Sequence, residues 1–288
     1  MRSALVEKRD LYLRESIKLV DEYGWYRHLK CDGLLFNCLW SIAGAPVDIM
    51  KAREHDGKWH RHPSMECYQL GQSKSEISRD MFDGLHLWSL QNKRSDVICD
   101  LIKYGEKNSW IMGHGDISRT YFTPSMQATL YEIRHHLTGK NHWKRRIPRD
   151  WYRPVPLCIP SSLHGYQRHV QVLHIFANCM MRPASTREID LLAYYTEDQP
   201  RNALFHAILH QITDKRFDDA IDLLLDETMF PNDHLPTTEN YDSHYLWQRD
   251  MSSSDWRPRS SAQQLITLPA IDWLFAAKIT LGGLIWEI

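Results

Sequence analysis

Apolar residues recur along this chain at helical spacing, segment after segment, and no run of five or more residues alternates strongly between apolar and polar. A half-buried strand needs that alternation, so the pattern leaves helix-on-helix packing as the way to build a core. Over residues 5–23 the positions Leu5, Leu11, Tyr12, Ile17, Leu19 and Val20 predict an amphipathic helix stopped at Gly24. Residues 34–43 predict a second, with Asp32 at or before its first turn and Gly44 and Pro46 behind it. A third is expected over 76–90, where Met81, Leu85 and Trp88 form one stripe. Ser95 as N-cap and Gly105 as terminator bound a fourth over 96–104, which makes a short hairpin with the third. Further helices are expected over 124–137 (ended by Gly139), 165–181, 186–195 (capped by Ser185 or Thr186), 201–212 and 216–225. A last helix or helix pair spans 262–286, broken at Pro269 and at Gly282-Gly283. The apolar run 155–159 carries Pro156, which argues against a central strand.

Roughly ten helices with short connections predict an all-α fold. The expected architecture is a single domain over residues 1–288, with helical hairpins arranged around a cleft. Residues 53–64 read as a surface loop carrying Trp59, and Gly113 to Asp116 as a second loop. The basic, aromatic, Pro-rich crossing 140–160 reads as an ordered functional loop.

Charge narrows the function classes. Lys and Arg number 35 against 36 Asp and Glu, so the net charge is −1. A nucleic-acid binder usually shows a basic face, so nucleic acid ranks low among partners. A neutral carbohydrate, a small metabolite or a protein partner fits the balance. Eleven Trp and 13 Tyr against 8 Phe supply rings with a polar edge, suited to a core margin or to a sugar-stacking cleft. Six cysteines without a CxxC pair read as free thiols in a reducing compartment, hence a cytoplasmic expectation. The apolar stretch 268–288 contains Asp272 and Lys278, so a buried helix is expected rather than a membrane span. No phosphate loop, dinucleotide turn, nucleophile elbow or EF-hand is present.

Ionisable residues stand inside or at the mouths of the apolar segments. They occur in Cys31-Asp32-Gly33-Leu34-Leu35-Phe36, in Ser78-Arg79-Asp80-Met81-Phe82-Asp83-Gly84-Leu85 and in Tyr245-Leu246-Trp247-Gln248-Arg249-Asp250. Burying a charge costs several kcal/mol unless it is paired or wet, so the pattern suggests the wall of a polar cleft. Asp80 and Asp83, three apart, fall near one helix face, and Asp32 and Asp250 come from other elements. Glycoside hydrolysis needs one carboxyl to protonate the leaving oxygen and a second to activate water or attack carbon. Asp80 is the expected general acid, with Asp32 or Asp250 as its partner and Asp83 beside it. Each of them reads equally as a helix cap or an ion-pair partner, with Arg79 and Arg249 holding the neighbouring aspartates. Trp59, Tyr245 and Trp247 offer stacking faces, and His114 a polar loop contact. A lyase would instead take its base and its uronate neutraliser from His, Tyr and Arg.

The competing reading is a non-enzymatic helical interaction protein. Its interface would use Trp143, Arg146 and Trp151 in the 140–160 crossing. His206 and His210 have a zinc-compatible spacing, but Ala207 stands where a metalloprotease carries its general-base glutamate. They read as ordinary helix-face histidines. No metal and no cofactor is expected.

Residues 78–104 resemble the helix hairpins of α/α-toroid polysaccharide-active enzymes, on Ser78-Arg79-Asp80, Gly84-Leu85 and the helix that follows. Cys31 to Phe36 and Trp247 to Asp250 are similar in style. The resemblance implies helix pairs closed around a cleft lined by acidic, aromatic and His residues. It implies a polysaccharide or oligosaccharide substrate, cleaved by hydrolysis or elimination. A complete toroid of that kind is longer, so the resemblance implies a compact or incomplete one.

Overall fold

The structure, a computed structural model, describes residues 1–26, 33–65, 77–114, 119–139, 165–236, 268–282 and 284. Among the described residues it is mostly helical, with ten α-helices and one small sheet. The helices are α1 (Arg2–Ile17), α2 (Gly33–Ile42), α3 (Arg79–Gln91), α4 (Ser95–Lys107) and α5 (Pro124–Thr138). They continue with α6 (Gly165–Cys179), α7 (Thr186–Asp198), α8 (Ala203–Thr213), α9 (Asp218–Leu225) and α10 (Leu268–Thr280). A 3-10 turn covers Ile49–Ala52, and β1 (Ile111–His114) pairs antiparallel with β2 (Arg119–Tyr121).

Two helices are apolar almost all round and take the centre. In α2, nine of ten residues are buried. In α10, every residue from Ala270 to Thr280 is buried except Lys278. Helix α10 packs against α1, α2, α8 and α9, while α3 packs against α2, α4, α5 and α6. Helices α2 and α3 touch backbone to backbone at Gly84, where an added Cβ would lie 2.9 Å from the Leu35 Cα and carbonyl oxygen. Further along, Trp88 Nε1 donates to Ser41 Oγ at 3.1 Å. Leu35 then Ser41 on one helix face Gly84 then Trp88 on the other, so the two run in the same direction.

Several buried polar groups find hydrogen-bond partners, as desolvation demands. Asn37 accepts from the Tyr26 N–H at 2.8 Å and donates to the Gly33 carbonyl at 2.9 Å, which ties the segment before α2 to the helix. Trp40 donates to Ser16 at 2.9 Å, Tyr12 to the Pro231 carbonyl at 2.7 Å and Trp273 to the Leu224 carbonyl at 2.9 Å. Ser185 and Glu188 close a capping box at the start of α7, and Thr123 and Asn202 cap α5 and α8.

Several boundaries differ from expectation. Helix α1 ends at Ile17, and residues 18–26 form a turn closed by a bridge between Val20 and Tyr26. Asp21 holds that turn by accepting from the Tyr23 and Trp25 N–H groups. Gly105 does not stop α4, which continues to Lys107; the Trp110 ring lies against Gly105, leaving no room for a Cβ. Pro269 is the second residue of α10, and residues 262–267 before the helix lie outside the described residues. Gly113 and His114 belong to β1, not to a loop, because strands of four and three residues are too short to show alternation. Trp59 is no surface residue: it is 1 % exposed, and it pairs with Arg53 in an isolated bridge. The crossing 140–160, with Trp143, Arg146 and Trp151, lies outside the described residues. Cys38 and Cys179 are free and buried, and Cys99 is free and half-buried. No helix of the described residues is long and apolar enough to cross a membrane.

Candidate functional site

Asp80, Asp83 and His86 follow one another at three-residue steps in α3, so they line one side of it. All three are buried. Asp80 takes a hydrogen bond from the Ser78 hydroxyl, just before the helix. Asp83 faces α6, where His174 Nδ1 lies 3.2 Å from its Oδ1. One turn nearer the start of α6, His169 Nε2 lies 3.1 Å from Asp272 Oδ1 of α10. The Phe36 ring of α2 stacks on His169, with centroids 6.3 Å apart.

The contact of Phe36, His169 and Asp272 falls at one depth, whereas His174, the partner of Asp83, is the tenth residue of α6. Phe36, Asp83, His169 and Asp272 are the fourth or fifth residues of α2, α3, α6 and α10. The N-terminal parts of α2, α6 and α10 therefore meet at His169, and Asp83 of α3 reaches α6 further along at His174. Asp80 lies in the first turn of α3, where the helix end carries partial positive charge that favours a carboxylate.

The electrostatics of the cluster are uneven. Burial pushes the Asp83 carboxyl above the usual range, against the hydrogen bond and charge of His174, and the neighbouring Asp80 adds to the rise. Burial pulls His174 down, but the hydrogen bond and charge of Asp83, with Glu188 beyond, outweigh it and its net shift is upward. Both shifts point the same way: the pair keeps a proton to higher pH than either group alone. With Nδ1 turned to Asp83, the His174 nitrogen left for chemistry is Nε2. The His174 side chain is 15 % exposed against 5 % for Asp83, so within the pair the imidazole is the group that meets solvent.

Two further groups adjoin the pair. His86 is fully buried, and neither ring nitrogen has a hydrogen-bond partner among the described residues. Burial, with His174 nearby, lowers it to about 3, so it is neutral at ordinary pH. On α5, Glu132 is raised by burial, against the positive charges of Arg182 and His174. Arg182 is engaged elsewhere, in a two-pronged contact with Glu188 at 2.7 and 2.9 Å.

Of the residues singled out in the sequence, the structure brings Asp80 and Asp83 together. Arg79 is exposed and makes no ion pair among the described residues, so it does not hold the neighbouring aspartates. Trp59 is enclosed in the core and presents no stacking face. The His114 side chain and all of Asp32, Tyr245, Trp247, Arg249 and Asp250 lie outside the described residues. His174, His86 and Glu132 were missed as site residues. The three-residue step from Asp80 through Asp83 to His86 was a signal for His86; nothing local marked His174 or Glu132. Comparisons with models of protein families, with curated proteins and with solved structures find no match.

Proposed function

We propose that the chain is a carbohydrate-active hydrolase that cleaves a glycosidic bond by acid–base catalysis at Asp80, Asp83 and His174. The observation that carries this reading is the buried Asp83–His174 pair, its imidazole the more exposed partner, with the Asp80 carboxylate one helical turn from Asp83. In this reading the proton held by the pair passes from His174 Nε2 to the leaving oxygen. Asp80, at the positive end of α3, takes the proton of the attacking water. This changes the order inferred from sequence, in which Asp80 was the acid. Transfer of the proton on Asp80 back to His174 through solvent restores both groups and completes the cycle.

The rest of the reading follows from the balance of charge and the helical fold. A net charge of −1 suits an uncharged glycan. A compact or incomplete α/α toroid is the arrangement that would present the cluster to a chain-like substrate, and the cytoplasm is the compartment that suits free thiols. A second reading, elimination from a uronate polysaccharide, is favoured by the same His174 Nε2, acting as base on the proton beside the sugar carboxylate.

Incubation with a panel of neutral and uronate-containing glycans tests both. A new reducing end without ultraviolet absorbance supports hydrolysis, and an unsaturated, absorbing product supports elimination. Full activity of a folded His174→Gln variant on a confirmed substrate would overturn the role given to the pair.

A further inference from the structure

A second cluster of ionisable groups lies on α8 and α9, sharing no residue with the α3–α6 site. His206 and His210 are four apart on α8, so their rings sit on one face, with centroids 5.8 Å apart. Helix α8 ends at Thr213, its cap Asp214 takes a left-handed conformation at φ 51°, and α9 starts at Asp218. That tight connection folds α9 back on α8 and sets Asp219 opposite His210. His210 Nε2 and Asp219 Oδ2 are 3.9 Å apart, too far for a hydrogen bond. Two ligands of one tetrahedral zinc, each about 2.0–2.2 Å from it, stand about 3.4 Å apart, so a small inward movement of an exposed carboxylate would seat the ion. One ligand atom from each of His206, His210 and Asp219 lies within 4.8 Å of the others.

One of the two rings is held by an outer hydrogen bond. His206 Nε2 lies 2.9 Å from the Pro200 carbonyl oxygen. Donation there fixes the tautomer and leaves Nδ1 as the nitrogen with a free lone pair, the way an outer hydrogen bond orients metal-binding histidines. That Nδ1 is buried and has no partner among the described residues. The Phe217 ring, 6.2 Å from that of His210, gives the site an apolar wall. Asp219 is 75 % exposed, which leaves room for water as a further ligand.

We propose that His206, His210 and Asp219 bind a divalent transition metal, of the kind that prefers imidazole with one carboxylate, such as zinc. With Ala207 in place of a general-base glutamate, the site holds a metal without the machinery of a peptidase.

The test is zinc titration of the chelator-treated full chain by calorimetry, alongside His206→Gln and Asp219→Asn. The chain has 16 His in all, so the reading lies in the difference between forms. The wild type is expected to bind one equivalent that His206→Gln loses. Asp219→Asn is expected to weaken that equivalent at least about ten-fold, since even outer partners of a metal ligand are worth that much. Because Asp219 is exposed, its variant should fold as the wild type does, and it decides the matter if His206→Gln does not fold. Zinc should raise the melting temperature of the wild type more than that of Asp219→Asn. Absence of zinc binding by the wild type, or equal stoichiometry and affinity in Asp219→Asn, would overturn the proposal. Neither result touches the hydrolase reading, whose residues lie elsewhere.

Discussion

His174 carries opposing influences: burial alone would lower its pKa, and the hydrogen bond and charge of Asp83 raise it. Asp83→Asn removes the upward pull and leaves burial. The His174 titration midpoint, followed by proton NMR, should lie above the ordinary histidine value of about 6.5 in the wild type and fall below it in Asp83→Asn. An unchanged midpoint would show that the two groups are not coupled. The linkage has a definite sign. The folded pKa of His174 is raised, so its contribution to stability is full below the unfolded pKa and is lost as pH rises through the folded one.

His86 has the opposite sign. Its folded pKa is lowered to about 3, so on acidification the unfolded chain takes up a proton that the folded chain refuses. Stability should fall by up to about 1.4 kcal/mol per pH unit below about 6.5 on this account. His86→Leu replaces an unpartnered buried ring with an apolar group. It should leave stability at pH 7 within about 1 kcal/mol of wild type and flatten the acid limb, by urea unfolding at pH 7 and pH 5. A steeper acid limb in the variant would contradict this. Legibility at this scale followed distance along the chain. Asp80 and Asp83 were readable because one helix turn joins them. The link from Asp83 to His174 crosses 91 positions, and no local pattern records it.

Among the helices, the tightest joint is between α2 and α3 at Gly84. A methyl there would meet the Leu35 Cα and carbonyl oxygen at 2.9 Å, and backbone atoms cannot move aside as a flexible side chain can. Gly84→Ala should cost about 1–3 kcal/mol in urea unfolding despite the better helix propensity of Ala. A gain in stability would mean that the two helices are not in backbone contact. Elements with periodic apolar faces and local stop signals were legible: Pro124 and Gly139 bound α5, and Ser185 caps α7. Gly105 was misread because a glycine that ends a helix and one that admits a neighbour's ring look alike in sequence. The β1–β2 pair was too short to leave a period.

Across the whole molecule, a helical core carries the Asp83–His174 pair between α3 and α6, with α2, α6 and α10 meeting at His169. The helical class was legible because all-round apolar helices and amphipathic ones differ visibly from alternating strands. The meeting of α3 with α6 at Asp83 and His174 was not, since it depends on which helices run side by side and in which direction. The parallel course of α2 and α3 rests on side-chain contacts such as Trp88 with Ser41, which only the folded chain shows.

The most direct measurement of the central claim is product analysis on one glycan panel, with wild type, Asp80→Asn, Asp83→Asn and His174→Gln run side by side. Their circular dichroism spectra and melting curves would be matched beforehand. The account predicts a new reducing end from at least one glycan with the wild type. It predicts a rate loss of at least about a hundred-fold in each folded variant, the usual worth of a positioned acid or base. Cleavage at the wild-type rate by all three variants, or no cleavage of any glycan by the wild type, would contradict it.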